Sequence, residues 1–111
     1  MKASLANVLN SIPGPRTDDW PEGEPYAVAL QHCSMLLEVF APRGTDRQTP
    51  HSQDEIYLII SGTAELEVEG KRVPAKAGDA LFVAAYADHR FYELSDDFVT
   101  WVILWGPDGG E

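Results

Sequence analysis

The chain has 111 residues, 44% of them hydrophobic, with 8 Lys and Arg against 18 Asp and Glu and a net charge of −10. That length suits one domain with one core, and the apolar content excludes a disordered chain. The acidic balance argues against partners met through their phosphates, so neither a nucleic acid nor an anionic membrane surface is expected.

Cys33 is the one cysteine, so no intramolecular disulfide can form and a disulfide-built scaffold is excluded. A reducing, cytoplasmic compartment is the expectation. No apolar run approaches the length that spans a bilayer. The first residues lack the basic start, apolar core and cleavage site of a signal peptide.

In chain order, Leu5, Val8, Leu9 and Ile12 follow helical spacing, with Ser4 placed to cap. A short helix is expected over Ser4–Ile12, ended by Pro13-Gly14-Pro15. The span to Pro25 reads as a loop anchored by Trp20, lying with the helix against the outside of the fold. Residues 1–25 thus form a helix and loop, 26–107 a β-domain, and 108–111 a tail.

From Tyr26 the pattern changes to short strands: Tyr26–Leu30, Ser34–Phe40, a turn at Pro42–Asp46, then an apolar run ending at Gly62. Ala64, Leu66 and Val68 alternate with Glu65, Glu67 and Glu69, which marks a strand with one face in water. Ala80–Ala84, His89–Leu94 and Phe98–Trp105 follow, each set off by a turn. Short strands at this spacing predict an all-β sandwich or barrel. No phosphate-binding glycine loop occurs.

The chemistry concentrates between Gln48 and Gly62. Ile56, Tyr57, Ile59 and Ile60 favour a strand. Extended backward, that strand puts Thr49, His51, Gln53, Glu55 and Tyr57 on one face. We expect this face to point inward, since the other parity carries Pro50, Ser52 and Asp54, with Asp54 solvated. A polar row facing a core must pair or bind something. His51 and Glu55 share strand parity and suit a divalent first-row metal, with His89 brought in by the fold. Thr49, Gln53 and Tyr57 are expected to line a pocket beside them.

At these residues the chain resembles the cupin superfamily, in particular small single-domain bacterial cupins. Its first motif, G(X)5HXH(X)3,4E(X)6G, is matched by Gly44 loosely and by His51, Glu55 and Gly62. Its second, G(X)5PXG(X)2H(X)3N, is matched by Gly78 and His89. The resemblance covers roughly Ser34 to Pro107. Thr49 stands where the family has its first histidine. Ala84, Tyr86 and Glu93 replace the proline, glycine and asparagine of the second motif.

The resemblance implies a jelly-roll β-barrel with a lumen for a small-molecule ligand. It carries the metal ligands over to His51, Glu55 and His89 only. Two His and one carboxylate are the donor set of non-haem iron oxygenases, so Fe2+ is the first expectation, with Ni2+, Mn2+, Co2+ and Zn2+ as alternatives. The implied activity is that of a metal-dependent dioxygenase on a small organic molecule. The alternative is a ligand-binding or sensor cupin without turnover, which Thr49 favours. Phe98–Trp105 is apolar at both parities and Ser34–Phe40 nearly so, which predicts a homodimer covering an outer apolar patch.

Overall fold

The computed structural model describes residues 1–111. Helix α1 (Leu5–Leu9) precedes β1 (Tyr26–His32), β2 (Met35–Phe40), β3 (Asp54–Ser61), β4 (Thr63–Val68), β5 (Lys71–Lys76), β6 (Ala80–Val83), β7 (His89–Tyr92) and β8 (Val99–Trp105). The strands form two antiparallel sheets, one ordered β1-β2-β8-β3-β6 and the other β5-β4-β7. No helix is long and apolar enough to cross a membrane.

Strand alternation builds the core. Ala64 and Leu66 of β4 are buried while Glu65 and Glu67 reach Arg72 on the outer face. From the larger sheet, Tyr57, Ile59, Val83, Val102 and Leu104 point inward. Phe91 of β7 bridges the two layers, with its ring 4.8 Å from Tyr57 and 4.9 Å from Phe98. Gly62 turns the chain from one sheet to the other. Its φ is +78°, and a Cβ there would lie 2.7 Å from the backbone N and Cα of Phe98, so only glycine fits.

Strand β8 is central and apolar at both parities. Its inward residues are Thr100, Val102 and Leu104. On the outer face a second cluster of Val39, Ala41 and Val99 is sealed by Leu5, Val8, Leu9, Ile12, Ile60 and Trp101. The helix therefore lies on the outside, as its spacing predicts, but it ends at Leu9. Ser11 and Ile12 continue through tight bonds to the carbonyls of Val8 and Leu9, which still bring Ile12 onto the patch. Ser4 is extended and makes no side-chain cap.

The region before β3 departs from expectation. The strand starts at Asp54, so Thr49, His51 and Gln53 lie in a loop and do not extend the row of Glu55 and Tyr57. Pro50 lacks an N–H for a ladder. The loop is held by other bonds: Tyr86 N–H donates to the His51 carbonyl at 2.7 Å and Gly109 N–H to that of Ser52 at 2.6 Å.

Candidate metal centre

Three side chains converge from three pieces of chain. Glu55 is the second residue of β3 and pairs with Leu104 on one side and Val83 on the other. His89 opens β7 in the opposite sheet and pairs with Val68. His51 arrives from the loop. One donor atom from each lies within 4.8 Å of the other two.

Glu55 and His89 are both buried, at 1% and 3% exposure, whereas His51 is half-buried. His89 Nε2 lies 2.6 Å from Glu55 Oε1, and His51 Nε2 lies 3.9 Å from Glu55 Oε2. His89 Nδ1 is 2.8 Å from the Ala87 carbonyl. A carbonyl oxygen can only accept, so Nδ1 carries a proton, and Nε2, turned toward Glu55, is the nitrogen left to hold a second proton or to ligate a cation. Neither His89 Nε2 nor Glu55 Oε2 completes a hydrogen bond. A lone pair and a carboxylate held this close need a proton or a cation with them.

The surroundings fix these groups. The Tyr57 hydroxyl donates to Gln48 Oε1 at 3.0 Å and lies 3.3 Å from Glu55 Oε1. Burial, reinforced by Glu55 and Asp46, holds the Tyr57 pKa well above its usual value, so it stays a donor. Burial alone pulls His89 down, but Glu55 and the Ala87 carbonyl outweigh it and its pKa is raised. Asp46 accepts from the backbone N–H of Gln48 at 2.9 Å and of Phe91 at 2.8 Å, and also from the Gln48 amide, pinning the loop to β7. Burial is the main influence on the Asp46 carboxyl and raises its pKa.

His51, Glu55, Tyr57, Thr49 and Gln48 share the wall of a cavity of about 300 Å3, with His89 packed behind them. A larger cleft of about 490 Å3 lies between the N-terminal loop and Arg43–Arg47, away from the three donors. Thr49 is exposed on the cavity side.

Gln53 is not on the cavity wall. Its amide donates to the carbonyls of Ser34 and Gly106, at 3.1 and 2.9 Å, tying the loop to the chain ends. Its place outside the strand removes the parity that suggested a lining role. Asp54 is not solvated either. It is 8% exposed and accepts from the N–H of Ala85 at 2.9 Å and of Glu111 at 3.2 Å. Sequence reasoning missed Asp46, which it read as part of a turn, and Glu38, which lies in the nearly apolar stretch Ser34–Phe40.

Two of the three departures in the second motif fall at positions of positive φ. Tyr86 and Glu93 have φ of +64° and +52°, a region that glycine and asparagine enter most easily. Tyr86 holds this conformation while donating to the His51 carbonyl.

An ion at roughly 2.0–2.2 Å from each donor places donor pairs about 3–4 Å apart. The Glu55 carboxylate lies 2.6 Å from His89 through Oε1 and 3.9 Å from His51 through Oε2, on either side of that spacing, and the donor set suits a divalent metal. The fold and this site are those of a small β-barrel protein with a candidate metal centre in its lumen. The sequence model of the cupin domain matches residues 36–105, and the chain belongs to that family. An uncharacterised protein of Streptomyces coelicolor is 34% identical over 85 residues, covering 75% of this chain and 81% of that one. Among solved structures, KdgF from Halomonas sp. is similar at a TM-score of 0.63 and 18% identity, covering 75% of this chain and 79% of its own. A Cupin 2 conserved barrel domain protein from Salinispora arenicola is similar at 0.61 and 23%, covering 73% and 74%. At these identities the solved structures show the fold.

Proposed function

We propose that this cupin holds a divalent transition-metal ion through His51, Glu55 and His89 and takes a small organic molecule into the adjoining cavity. The observation that carries the reading is the 2.6 Å approach of His89 Nε2 to Glu55 Oε1, with the histidine proton committed to Ala87 on the other nitrogen. Such a metal supplies Lewis acidity and open coordination positions. The chain's own residues do the rest. Asp46 pins the His51 loop to β7, Tyr57 ties Gln48 beside Glu55, and Val102 with Phe40 gives the cavity an apolar side.

Fe2+ is the first ion to test and dioxygenase activity the first reaction, because two imidazoles and one carboxylate are the donors of non-haem iron enzymes. Elemental analysis of the purified protein, then oxygen uptake with small carboxylates, thiols and phenols, tests both parts. The expected result is about one metal per chain, lost in His51→Ala and His89→Ala. Full occupancy in both variants would refute the assignment. A second reading, ligand binding without turnover, is favoured by Thr49, which offers no imidazole where the family's first motif has one. Metal and ligand binding without oxygen uptake supports that reading.

The protein is also proposed to be a homodimer through the outer face of its larger sheet.

A further inference from the structure

The cavity has a second end that the metal reading leaves unused. Tyr57, Val102 and Glu38 sit in one cross-strand row on β3, β8 and β2, all pointing inward. Two strand spacings separate Glu38 from Tyr57, roughly 10 Å. Beside Glu38 stand three aromatic rings. Trp20 meets Tyr26 edge-on at 6.3 Å and Phe40 edge-on at 6.4 Å. All three rings, with Glu38 and Asp19, line the same cavity as His51 and Glu55.

The charge at this end is mostly negative, with Glu24, Glu38 and Asp19 against Arg47. Glu24 accepts from the Tyr26 hydroxyl at 2.7 Å, which leaves the ring flanked by Glu24, Glu38 and Asp19. The ion pairs of the fold run through His51, Arg72 and His89, and none engages Glu38. Arg47 also lines the cavity, but it is exposed and pairs with neither Glu38 nor Asp19. Burial, with Glu55 and Glu24 nearby, pushes the Glu38 carboxyl up to about 7, as expected where no cation answers it. Aromatic faces and a carboxylate together attract an ammonium, through the ring quadrupole and through a charge-assisted hydrogen bond. An anionic ligand would meet like charge here.

We propose that this end of the cavity recognises a protonated amine, so that the ligand is a small amine-bearing molecule. Its cationic group lies among Trp20, Tyr26, Phe40 and Glu38, and its other end points toward His51 and Glu55. The inference deepens the metal reading by naming the ligand class for the same cavity. Its amine end does not need the metal, so the two can fail separately.

The test uses the full chain in metal-free and metal-loaded form. Binding of n-butylamine and tetramethylammonium is followed by NMR titration, against 1-pentanol and butyrate as neutral and anionic counterparts. The amines are expected to bind at least about tenfold more tightly than either counterpart. Glu38→Gln and Trp20→Leu are each expected to weaken amine binding by about tenfold, with the melting transition retained. Glu67→Gln, on the outer face, controls for the general acidity of the protein and is expected to change nothing. His51→Ala is expected to lose metal yet keep amine binding within about twofold, because the ammonium contacts lie at the other end. Equal binding of 1-pentanol would overturn the proposal, as would an unchanged affinity in Glu38→Gln. Amine binding that depends on Glu38 in a protein that takes up no metal would refute the metal reading alone.

Discussion

His89 Nε2 and Glu55 Oε1 are 2.6 Å apart, across the gap between two sheets, while His89 Nδ1 is held by the Ala87 carbonyl. The contact joins β7 to β3, so whatever neutralises it also ties the two layers together. Without a cation, His89 must take up a second proton to answer Glu55. With one, both donors are satisfied at once. On the proposed metal reading, ion binding and fold stability are therefore linked at this pair.

The first prediction follows from that linkage. A metal at a hundred times its dissociation constant stabilises the native state by about 2.7 kcal/mol, or roughly 10 °C in Tm for a domain of this size. Thermal melts with and without chelator measure it. Glu55→Gln separates metal from structure, because its amide can donate to the bare Nε2 but ligates poorly. That variant is expected to keep the chelated protein's Tm and to lose the metal-dependent rise. A metal-dependent rise of unchanged size in Glu55→Gln would remove Glu55 from the site.

Thr49 faces the cavity beside His51 and Glu55, and it occupies the place of the motif's first histidine. Imidazole is a far better ligand than a hydroxyl. Thr49→His is expected to tighten metal binding by tenfold or more, on the order of 1.4 kcal/mol. Competition against a chelator of known affinity reads the change, and the Co2+ absorption spectrum reports whether a new nitrogen has joined. An unchanged spectrum and affinity would mean that the loop aims position 49 elsewhere.

Glu38 gives a pH dependence with a definite sign. Its carboxyl loses its proton near 7 in the folded chain and near the ordinary 4.5 when unfolded. Between those values the unfolded chain binds fewer protons, so stability falls as pH rises through that window and stays lower above it. Glu38→Gln removes the penalty. The variant is expected to be more stable than the parent by roughly 1–3 kcal/mol at about pH 8, and to show no advantage near pH 4. Urea denaturation of chelated protein across this range measures it. A parent that gains stability from pH 5 to 7 relative to the variant would contradict the assignment.

The elements legible in the sequence were those set by local periodicity. Glu65, Glu67 and Glu69 alternating with apolar residues marked β4, and the continuous apolar run marked β8 as a strand needing cover on both sides. His51, Glu55 and His89 were legible as donors by residue type and spacing, although the geometry that joins them is not strand parity. His51 reaches the site because Tyr86 and Gly109 hold its loop by backbone bonds, and such bonds leave no trace in side-chain pattern. The same holds for Gln53, drawn to Ser34 and Gly106 by a loop closure between distant segments. Glu38 was hidden for another reason. One polar residue in an apolar strand reads as a fault until the register shows it beside Val102, on the sheet face turned toward the cavity.

The last prediction concerns assembly. Leu30, Leu37, Ile103, Ile56 and Phe82 are in cross-strand register over all five strands of the larger sheet. Ile56 alternates with the inward Glu55 and Tyr57, so this row lies on the outer face. None of the five belongs to the cluster that α1 seals, which ends at Trp101 and Ile60. Phe82 is 58% exposed and Leu58, in the next row, 38%. A continuous apolar row of this kind is rarely left open to water, and a second copy of the same face is its natural cover. Trp101 faces outward but is partly claimed by the helix, and Val102 faces the core, so neither is the best probe. Ile103 sits at the centre of the row. In a two-fold interface a charge placed there is met twice, so Ile103→Asp is expected to give a folded monomer, while Glu67→Gln on the other sheet leaves the dimer intact. Light scattering at micromolar concentration reads the mass and circular dichroism checks the fold. A monomer mass for the unmodified protein would end the argument, and the row would then need some other cover.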